Sequence, residues 1–385
     1  MYSYKRENEI NEIKLNRLVE WLEGGHAGPI QLDAEVHRRC NLNCIACPRR
    51  ANDFDLNKDS IEHELDKEKW LSLVEEAAKL GVKKFNLEGG GEPTAVPDLI
   101  YPIMEKIKEE GMYGIITTNG TLLNEARIKK IVGMDWDRIH FSLDSPTADI
   151  HDFLRNRRGA FKKTIDTIKL LDKWKGEENK EHPMLNINIV INKLNFMKLP
   201  EMVEIANKLN ADYLFTEPLI EFNKVGGKLK IDTKKNKEKL KRSKKRAARL
   251  ADKYKIDNNF GTEDKNLEED MIEDTSNMRN ILGNISQDKG KNLLSSPCLK
   301  PWRLISIKYD GTAGHCGLIQ KGESVKNKSL EEIWYGDFLT EVRNKMSRGE
   351  LLEHCDNCVP SDITQRKRFK RDLKERLASE GKIKK

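Results

Sequence analysis

Apolar residues recur at roughly helical spacing in the first 23 positions, at Ile10, Ile13, Val19 and Leu22. This pattern predicts an amphipathic helix that Gly24 and Gly25 end. From Pro29 the pattern changes to short apolar runs alternating with longer amphipathic stretches. Leu32, Ala34 and Val36 read as a first strand, Val82 to Leu87 as a second, and Gly114 to Thr117 as a third. Arg138 to Leu143, Leu185 to Ile191 and Tyr213 to Thr216 follow as the fourth, fifth and sixth. Between them, helical spacing covers Trp70 to Leu80 (with Asp66 as N-cap), Asp98 to Glu110, Glu125 to Val132, Phe161 to Trp174 and Pro200 to Leu209. Six strands alternating with helices imply parallel βαβ units. They are too few to close an eight-stranded barrel, so the expected fold is α/β, a partial (β/α)6 TIM-like barrel. Its chemistry should sit on the loops after the strand C-termini.

The alternation stops at Gly226 and Gly227. A Lys-rich helical stretch and then an Asn/Asp-rich acidic one follow to about Gly290, read together as a solvated insertion or linker. A second compact α+β unit runs from Pro297 to Pro360. The expected organisation is an N-terminal helix (1–28), the barrel (29–225), the charged linker (226–296), the small domain (297–360) and a basic tail (361–385), a polar helix at most. The chain has 385 residues and a net charge of +7, unevenly placed. Ser361 to Lys385 holds ten Lys/Arg against four Asp/Glu, and Lys224 to Lys255 fifteen against three. These basic runs lack the interleaved aromatics on which bases stack, so they read as solvated faces and do not point to nucleic acid. No run of 18 apolar residues is present to span a membrane, and the charged first residues do not resemble a signal peptide. The expected location is cytoplasmic, where clustered cysteines read as metal sites rather than disulfides.

The seven cysteines divide into three and four. Cys40, Cys44 and Cys47 form CxxxCxxC immediately after the first strand. Three thiolates at this spacing suit three irons of a four-iron cluster, leaving the fourth iron open. Structural zinc, the alternative, is normally closed by four ligands. This motif, opening a βα series, resembles the signature of the radical S-adenosylmethionine (SAM) superfamily, and the flanking Asn41 and Leu42 strengthen the match. The resemblance implies a [4Fe-4S] cluster whose open iron chelates the amino and carboxylate groups of SAM, and reductive cleavage of SAM to a 5′-deoxyadenosyl radical that abstracts a hydrogen atom. Ala46 stands where many members carry an aromatic residue, which bears on packing over the adenine but removes no ligand.

Further strand ends extend the resemblance over residues 30 to 220. Gly89-Gly90-Gly91-Glu92-Pro93 after the second strand is similar to the family's GGEP element, which assigns Gly90, Gly91, Glu92 and Pro93 to the SAM amino group. Thr118-Asn119-Gly120 matches a similar family TNG, and Ser142-Leu143-Asp144-Ser145 ends the fourth strand, with His151 and Arg155 downstream. By resemblance Asn119, Ser142 and Asp144 lie near SAM or substrate, and Arg155 pairs with the SAM carboxylate. As ordinary structure, Asp144 and Ser145 would be a helix cap and Arg155 a surface charge. Asn192 and Glu217, at the next two strand ends, are weaker pocket candidates.

The second group is Cys298, Cys316, Cys355 and Cys358. Leu304, Ser306 and Lys308 read as a strand, Tyr309-Asp310-Gly311 as a hairpin turn, and Ser329 as the start of a helix before the final CxxC. Four cysteines also suit structural zinc. The arrangement resembles the C-terminal SPASM domain and its shorter form, twitch, which implies one auxiliary [4Fe-4S] cluster. His315 and His354 read as neighbours of the ligands rather than ligands.

Three plus four uses every cysteine, so no free thiol is left to return a hydrogen atom to a substrate radical. The expected chemistry is hydrogen abstraction followed by oxidation of the substrate radical through the auxiliary cluster. Electrons would come from a donor such as flavodoxin or ferredoxin. A small polyol or sugar is the favoured substrate by resemblance to cyclitol dehydrogenases. A ribosomal peptide ranks second, because only about 30 residues precede the first strand. The non-enzyme alternative is a metal-cluster protein that binds RNA.

Overall fold

The computed structural model describes residues 2–48, 63–221, 224–231, 233–260, 293–318 and 321–382. Six parallel strands run side by side in chain order: β1 (Gln31–Ala34), β2 (Lys84–Leu87), β3 (Tyr113–Thr118), β4 (Arg138–Ser142), β5 (Met184–Ile191) and β6 (Tyr213–Pro218). Helices α2 (Lys67–Lys79), α3 (Pro97–Glu109), α4 (Glu125–Gly133), α5 (Ala148–Arg155), α6 (Ala160–Glu177) and α7 (Leu199–Lys208) connect them. Local signals act where the sequence places them. The Asp66 carboxylate accepts from Lys69 N at 2.7 Å and starts α2. Gly81 then ends the turn at φ +86°, a conformation open to glycine at little cost.

Side chains alternate across a strand, and the two faces of this sheet differ in kind. Leu32, Ala34, Phe85, Leu87, Ile116, Ile139, Phe141, Ile187 and Ile189 join the main apolar core beneath the helices, with Trp70, Leu73 and Ile100 fully buried there. Each large aliphatic or phenylalanine side chain there contributes about 1.5–3 kcal/mol by leaving water, so this face holds the layers together. The opposite face lines the concave lumen with Asp33, Asn86, Thr117, His140, Asn186 and Asn188. Helix α1 (Tyr2–Leu22) closes the lumen at the strand N-termini. Its Ile10 packs on Ile30, Tyr113 and Ile115, Arg6 Nη1 reaches Asp137 Oδ1 at 3.0 Å, and Arg17 donates to the carbonyls of Gly28, Pro29 and Gly81.

The sheet does not stop at six strands. From the C-terminal unit, β8 (Leu304–Ile307) pairs parallel with β1, Gln31 opposite Leu304 and Ala34 opposite Ile307. β9 (Thr312–Gly314) and β10 (Glu323–Ser324) add antiparallel beyond it. The hairpin turn forms as its sequence implies, with Gly311 at φ +88° and Thr312 N donating to Asp310 Oδ1. Ser329 and Glu332 make a capping box for the helix Leu330–Tyr335. Its buried Trp334 donates to Ala27 O at 3.0 Å. At the far edge β7 (Asp257–Asn258) pairs parallel with β6.

Two expectations need correction. The Lys-rich stretch is not linker throughout: Lys234–Tyr254 is a helix that buries Leu240, Ala247 and Ala251 in the main core, and it delivers β7. Most of its basic side chains lie on the other faces, though Lys244 is buried with the stripe, so charge count concealed an amphipathic helix. Residues 261–292, the acidic stretch, lie outside the described residues. The basic tail is likewise more than a polar helix. Pro360–Ser379 is a helix whose Leu373 and Leu377 pack against Leu15, Leu18 and Trp302. It ties the N-terminal helix to the small domain.

Candidate functional site

The cysteine loop leaves β1 and is held from two sides. Below it, β2 ends in three glycines that press against the chain leading into the motif. Gly91 N donates to His37 O at 2.9 Å and Glu92 N to Arg39 O at 2.8 Å. A Cβ on Gly91 would lie 2.1 Å from Arg39 O, and one on Gly90, already at φ +59°, 2.6 Å from His37 O. These glycines therefore seat the cysteine loop itself. Beside it, Asn119 Nδ2 donates to Asn41 Oδ1 at 3.1 Å, and Asn41 Nδ2 to Thr121 Oγ1 at 2.7 Å. Within the loop, Leu42 N points at Cys40 Sγ (3.4 Å) and Cys47 N donates to Cys44 O. The three thiols are half-buried.

Glu92 is buried, and its carboxylate accepts four hydrogen bonds from the protein. Oε1 accepts from Thr94 N (3.1 Å), Thr94 Oγ1 (2.6 Å) and Thr118 Oγ1 (2.6 Å), while Oε2 accepts from Asn119 N (2.7 Å). It thus clamps the ends of β2 and β3 together. Pro93 follows at the first position of a short 3-10 turn, and its carbonyl lies 3.2 Å from His37 Nε2.

Across the loop, Arg155 at the end of α5 reaches back. Its Nη2 lies 2.7 Å from Asp144 Oδ2, and its Nη1 3.9 Å from Cys44 Sγ. Burial alone would weaken the guanidinium, but Asp144 and the thiols of Cys44 and Cys47 outweigh it and hold its pKa raised. Asp144 Oδ1 also accepts from Val190 N, and Asp144 N donates to His151 Nδ1. Burial first, then the nearby Arg155 charge, pushes His151 down to about 3, so it stays a neutral acceptor. Asp144 caps no helix; Thr147 precedes α5, its N bonded to Ser145 Oγ. Ser142 ends β4 half-buried on the lumen face opposite Asn188. Asn192 turns inward on its own loop, donating to Val190 O and accepting from Leu194 N. Glu217 sits half-buried near the end of β6.

Below this level lies a polar row that sequence reading passed over. Thr117, His140 and Asn186 are register partners on β3, β4 and β5. Buried atoms Asn86 Oδ1, Thr117 Oγ1, His140 Nε2, Asn186 Oδ1 and Asn188 Oδ1 have no protein partner. Desolvation, then Arg138 and Lys84, pushes His140 down to about 3, so the row is neutral. Its signal was present, as polar residues at every second position of otherwise apolar strands. Val190 near the end of β5, Leu194 and Met197 on the loop after it, and Val225 in the short helix Lys224–Gly227 are exposed, and Lys193 N donates to Leu229 O between these segments.

The second cysteine group lines one cavity, open to solvent, whose wall includes Cys298, Cys316, Cys355 and Cys358 together with His315, His354 and Arg366. Among the described residues no three His, Cys, Asp or Glu side chains converge on a single ion; the thiols line a space. That donor set suits an iron–sulfur cluster, in which each thiolate takes a separate iron. His315 is buried and neutral, pushed to about 3 first by burial and then by His354. The hairpin touches the chain leading into the cysteine loop: Arg38 Nη1, two residues before Cys40, donates to Tyr309 Oη at 3.2 Å.

A parallel partial barrel with a three-thiol loop at its mouth, joined to a small unit gathering four thiols, defines a class of protein. Residues 34–209 match the Radical SAM superfamily, and residues 298–359 match SPASM, an iron–sulfur cluster-binding domain. The chain thus carries a radical SAM domain, which binds SAM and a [4Fe-4S] cluster, and a C-terminal SPASM domain, which binds additional iron–sulfur cluster. It is 30% identical over 188 residues to the tungsten-containing aldehyde ferredoxin oxidoreductase cofactor-modifying protein of Pyrococcus furiosus, covering 48% of this chain and 50% of that protein. It is 32% identical over 184 residues to PqqA peptide cyclase of Granulibacter bethesdensis, covering 48% and 45%. The chain thus spans about half the length of the curated relatives it matches. Among solved structures it is similar to Streptococcus suis SuiB bound to S-adenosylmethionine (TM-score 0.59, 19% identity, 82% of this chain and 68% of that one). SuiB has also been solved with its precursor peptide SuiA. The anSMEcpe protein with bound AdoMet covers 91% of this chain and 99% of its own (TM-score 0.57, 16% identity). At these identities the structures show the fold. No helix among the described residues is long and apolar enough to cross a membrane.

Proposed function

We propose that this enzyme modifies a peptide, removing a hydrogen atom from one residue, passing the radical's electron to the auxiliary cluster and releasing a proton to give a product lighter by two hydrogens. The observation that carries a peptide over a small polyol is the exposed apolar group of Val190, whose N–H donates to Asp144 Oδ1, with Leu194, Met197 and Val225 on the segments that follow. A cyclitol has no use for such a group, whereas residues flanking a modified position would cover it. Relatives and structural neighbours named for peptide substrates agree, and the favoured polyol expectation gives way.

In this reading Cys40, Cys44 and Cys47 hold the first cluster, and Cys298, Cys316, Cys355 and Cys358 the auxiliary one. Bound there, the first cluster and SAM supply the 5′-deoxyadenosyl radical that abstracts hydrogen. Glu92 acts through position: with its carboxylate engaged by Thr94, Thr118 and Asn119, it fixes the backbone of Gly90, Gly91 and Pro93 against which the SAM amino group docks. Arg155, oriented by Asp144, presents its guanidinium toward the SAM carboxylate. Asn119 and Ser142 face the same mouth. The row of Asn86, Thr117, His140, Asn186 and Asn188 receives a polar side chain from the peptide, offering it hydrogen bonds. Electrons arrive from a flavodoxin or ferredoxin.

The test is co-expression with short peptides encoded beside its gene, followed by mass spectrometry. A peptide lighter by two hydrogens, lost again in Cys44→Ala, supports the proposal. Unchanged peptides, with 5′-deoxyadenosine release instead stimulated by a polyol, would overturn it.

A further inference from the structure

Arg366 belongs to the C-terminal helix Pro360–Ser379, the segment whose sequence suggested only a solvated basic tail. It is 4% exposed and lines the cavity that also holds Cys298, Cys316, Cys355 and Cys358. Its Nε donates to Ser296 O at 3.1 Å, and Nη2 donates to the same carbonyl. Ser296 Oγ in turn donates to Cys298 O at 2.6 Å and accepts from Cys298 N at 3.2 Å. One arginine is therefore tied to the turn that presents Cys298 and buried in the wall of the four-thiol cavity.

We infer that Arg366 is the electrostatic positioning residue of the auxiliary site, a fixed buried cation that sets the reduction potential of the cluster there. The inference rests on the reading that these four cysteines hold a cluster. Four thiolates and a four-iron core are anionic in both redox states, and reduction adds one further negative charge. A cation held nearby in a poorly solvated wall stabilises the reduced form more than the oxidised one. Net charge, hydrogen bonding and exposure are the levers by which proteins tune such clusters. Arginine suits the task because it keeps its charge when buried. Lys300 lines the same cavity but is half-buried, so solvent and salt screen its charge more effectively.

The experiment is a redox titration of the reconstituted full-length enzyme, followed by the spectroscopic signal of the auxiliary cluster. Cys44→Ala serves as background, to remove the first cluster's signal. Arg366→Gln is expected to shift the reduction equilibrium about tenfold toward the oxidised cluster, about 59 mV for one electron. Arg366→Lys should stay close to the parent, and Lys300→Met should shift less than Arg366→Gln. An Arg366→Gln protein with full iron and an unmoved midpoint overturns the inference. If Arg366→Gln assembles no cluster but Arg366→Lys does, the site requires the charge and the inference stands. If neither assembles one in a folded protein, Arg366 is only a clamp on Ser296 and the inference falls. Absence of the auxiliary cluster from the parent protein would instead remove the underlying reading.

Discussion

Arg155 joins the fourth strand end to the cysteine loop, with Nη2 2.7 Å from Asp144 Oδ2 and Nη1 3.9 Å from Cys44 Sγ. The same guanidinium is thus oriented by a carboxylate and aimed at the mouth. Arg155→Met should leave the iron content near wild type but weaken SAM binding about tenfold or more, since hydrogen bonds to charged groups contribute about 1.5–3 kcal/mol. Equilibrium binding of SAM to the oxidised protein measures this. Unchanged affinity would return Arg155 to a purely structural role.

Gly91→Ala should cost the first cluster. The new Cβ meets the backbone of Arg38 and Arg39, at 2.7 Å and 2.1 Å, and backbone cannot swing aside as a side chain does. The cysteine loop must lift off β2. Iron per chain is expected to fall by about four, the content of one cubane cluster, with the auxiliary signal retained.

Glu92→Gln separates clamp from ligand contact. The amide keeps one acceptor oxygen but sets an NH2 group against donors that the carboxylate served. Stability should drop by about 2–3 kcal/mol, the scale of a buried charged hydrogen bond with a donor left unmet, read from the denaturant midpoint without SAM. A stability change near zero would show that the clamp does not hold β2 to β3.

Removing Cys355 and Cys358 tests the division of labour between the sites. The double alanine variant should keep about four of about eight irons and still release 5′-deoxyadenosine with dithionite. It should form no oxidised product. Because loss of a metal site can unfold a small domain, the retained cleavage activity also reports that the barrel is intact. Undiminished product would leave the second cluster a structural staple.

Acid should destabilise the protein through its buried imidazoles. His151 sits near 3 in the fold against about 6.5 when unfolded. The unfolded chain therefore binds more protons below pH 6.5, and stability falls as pH drops from there toward 3. Between pH 7 and 5 this one group accounts for about 2 kcal/mol. His151→Gln should flatten the pH dependence of the unfolding midpoint by that amount, and an unaltered slope would show that His151 is not held neutral.

The sequence by itself determined the strand–helix alternation, the two cysteine groups, the Asp66 and Ser329 caps and the turn at Gly311. Each depends on residues close together in the chain: a repeat of two or of 3.6, a cap, a glycine where φ must be positive. It also placed Glu92, Asn119, Asp144 and Arg155 at strand or helix ends around one mouth. Only the tertiary structure decided what those groups touch. Glu92 reads as a ligand group until four protein donors are found around its carboxylate. Arg155 reads equally as a SAM contact or a surface charge until it is seen between Asp144 and Cys44. The Lys-rich helix and the basic tail read as solvated because composition averages over faces, while burial follows the narrow stripes of Leu240, Ala247 and Ala251, and of Leu373 and Leu377. The pairing of β8 with β1 brings together residues some 270 positions apart. No local pattern encodes it, because a strand edge is satisfied by whichever partner the folded chain brings beside it.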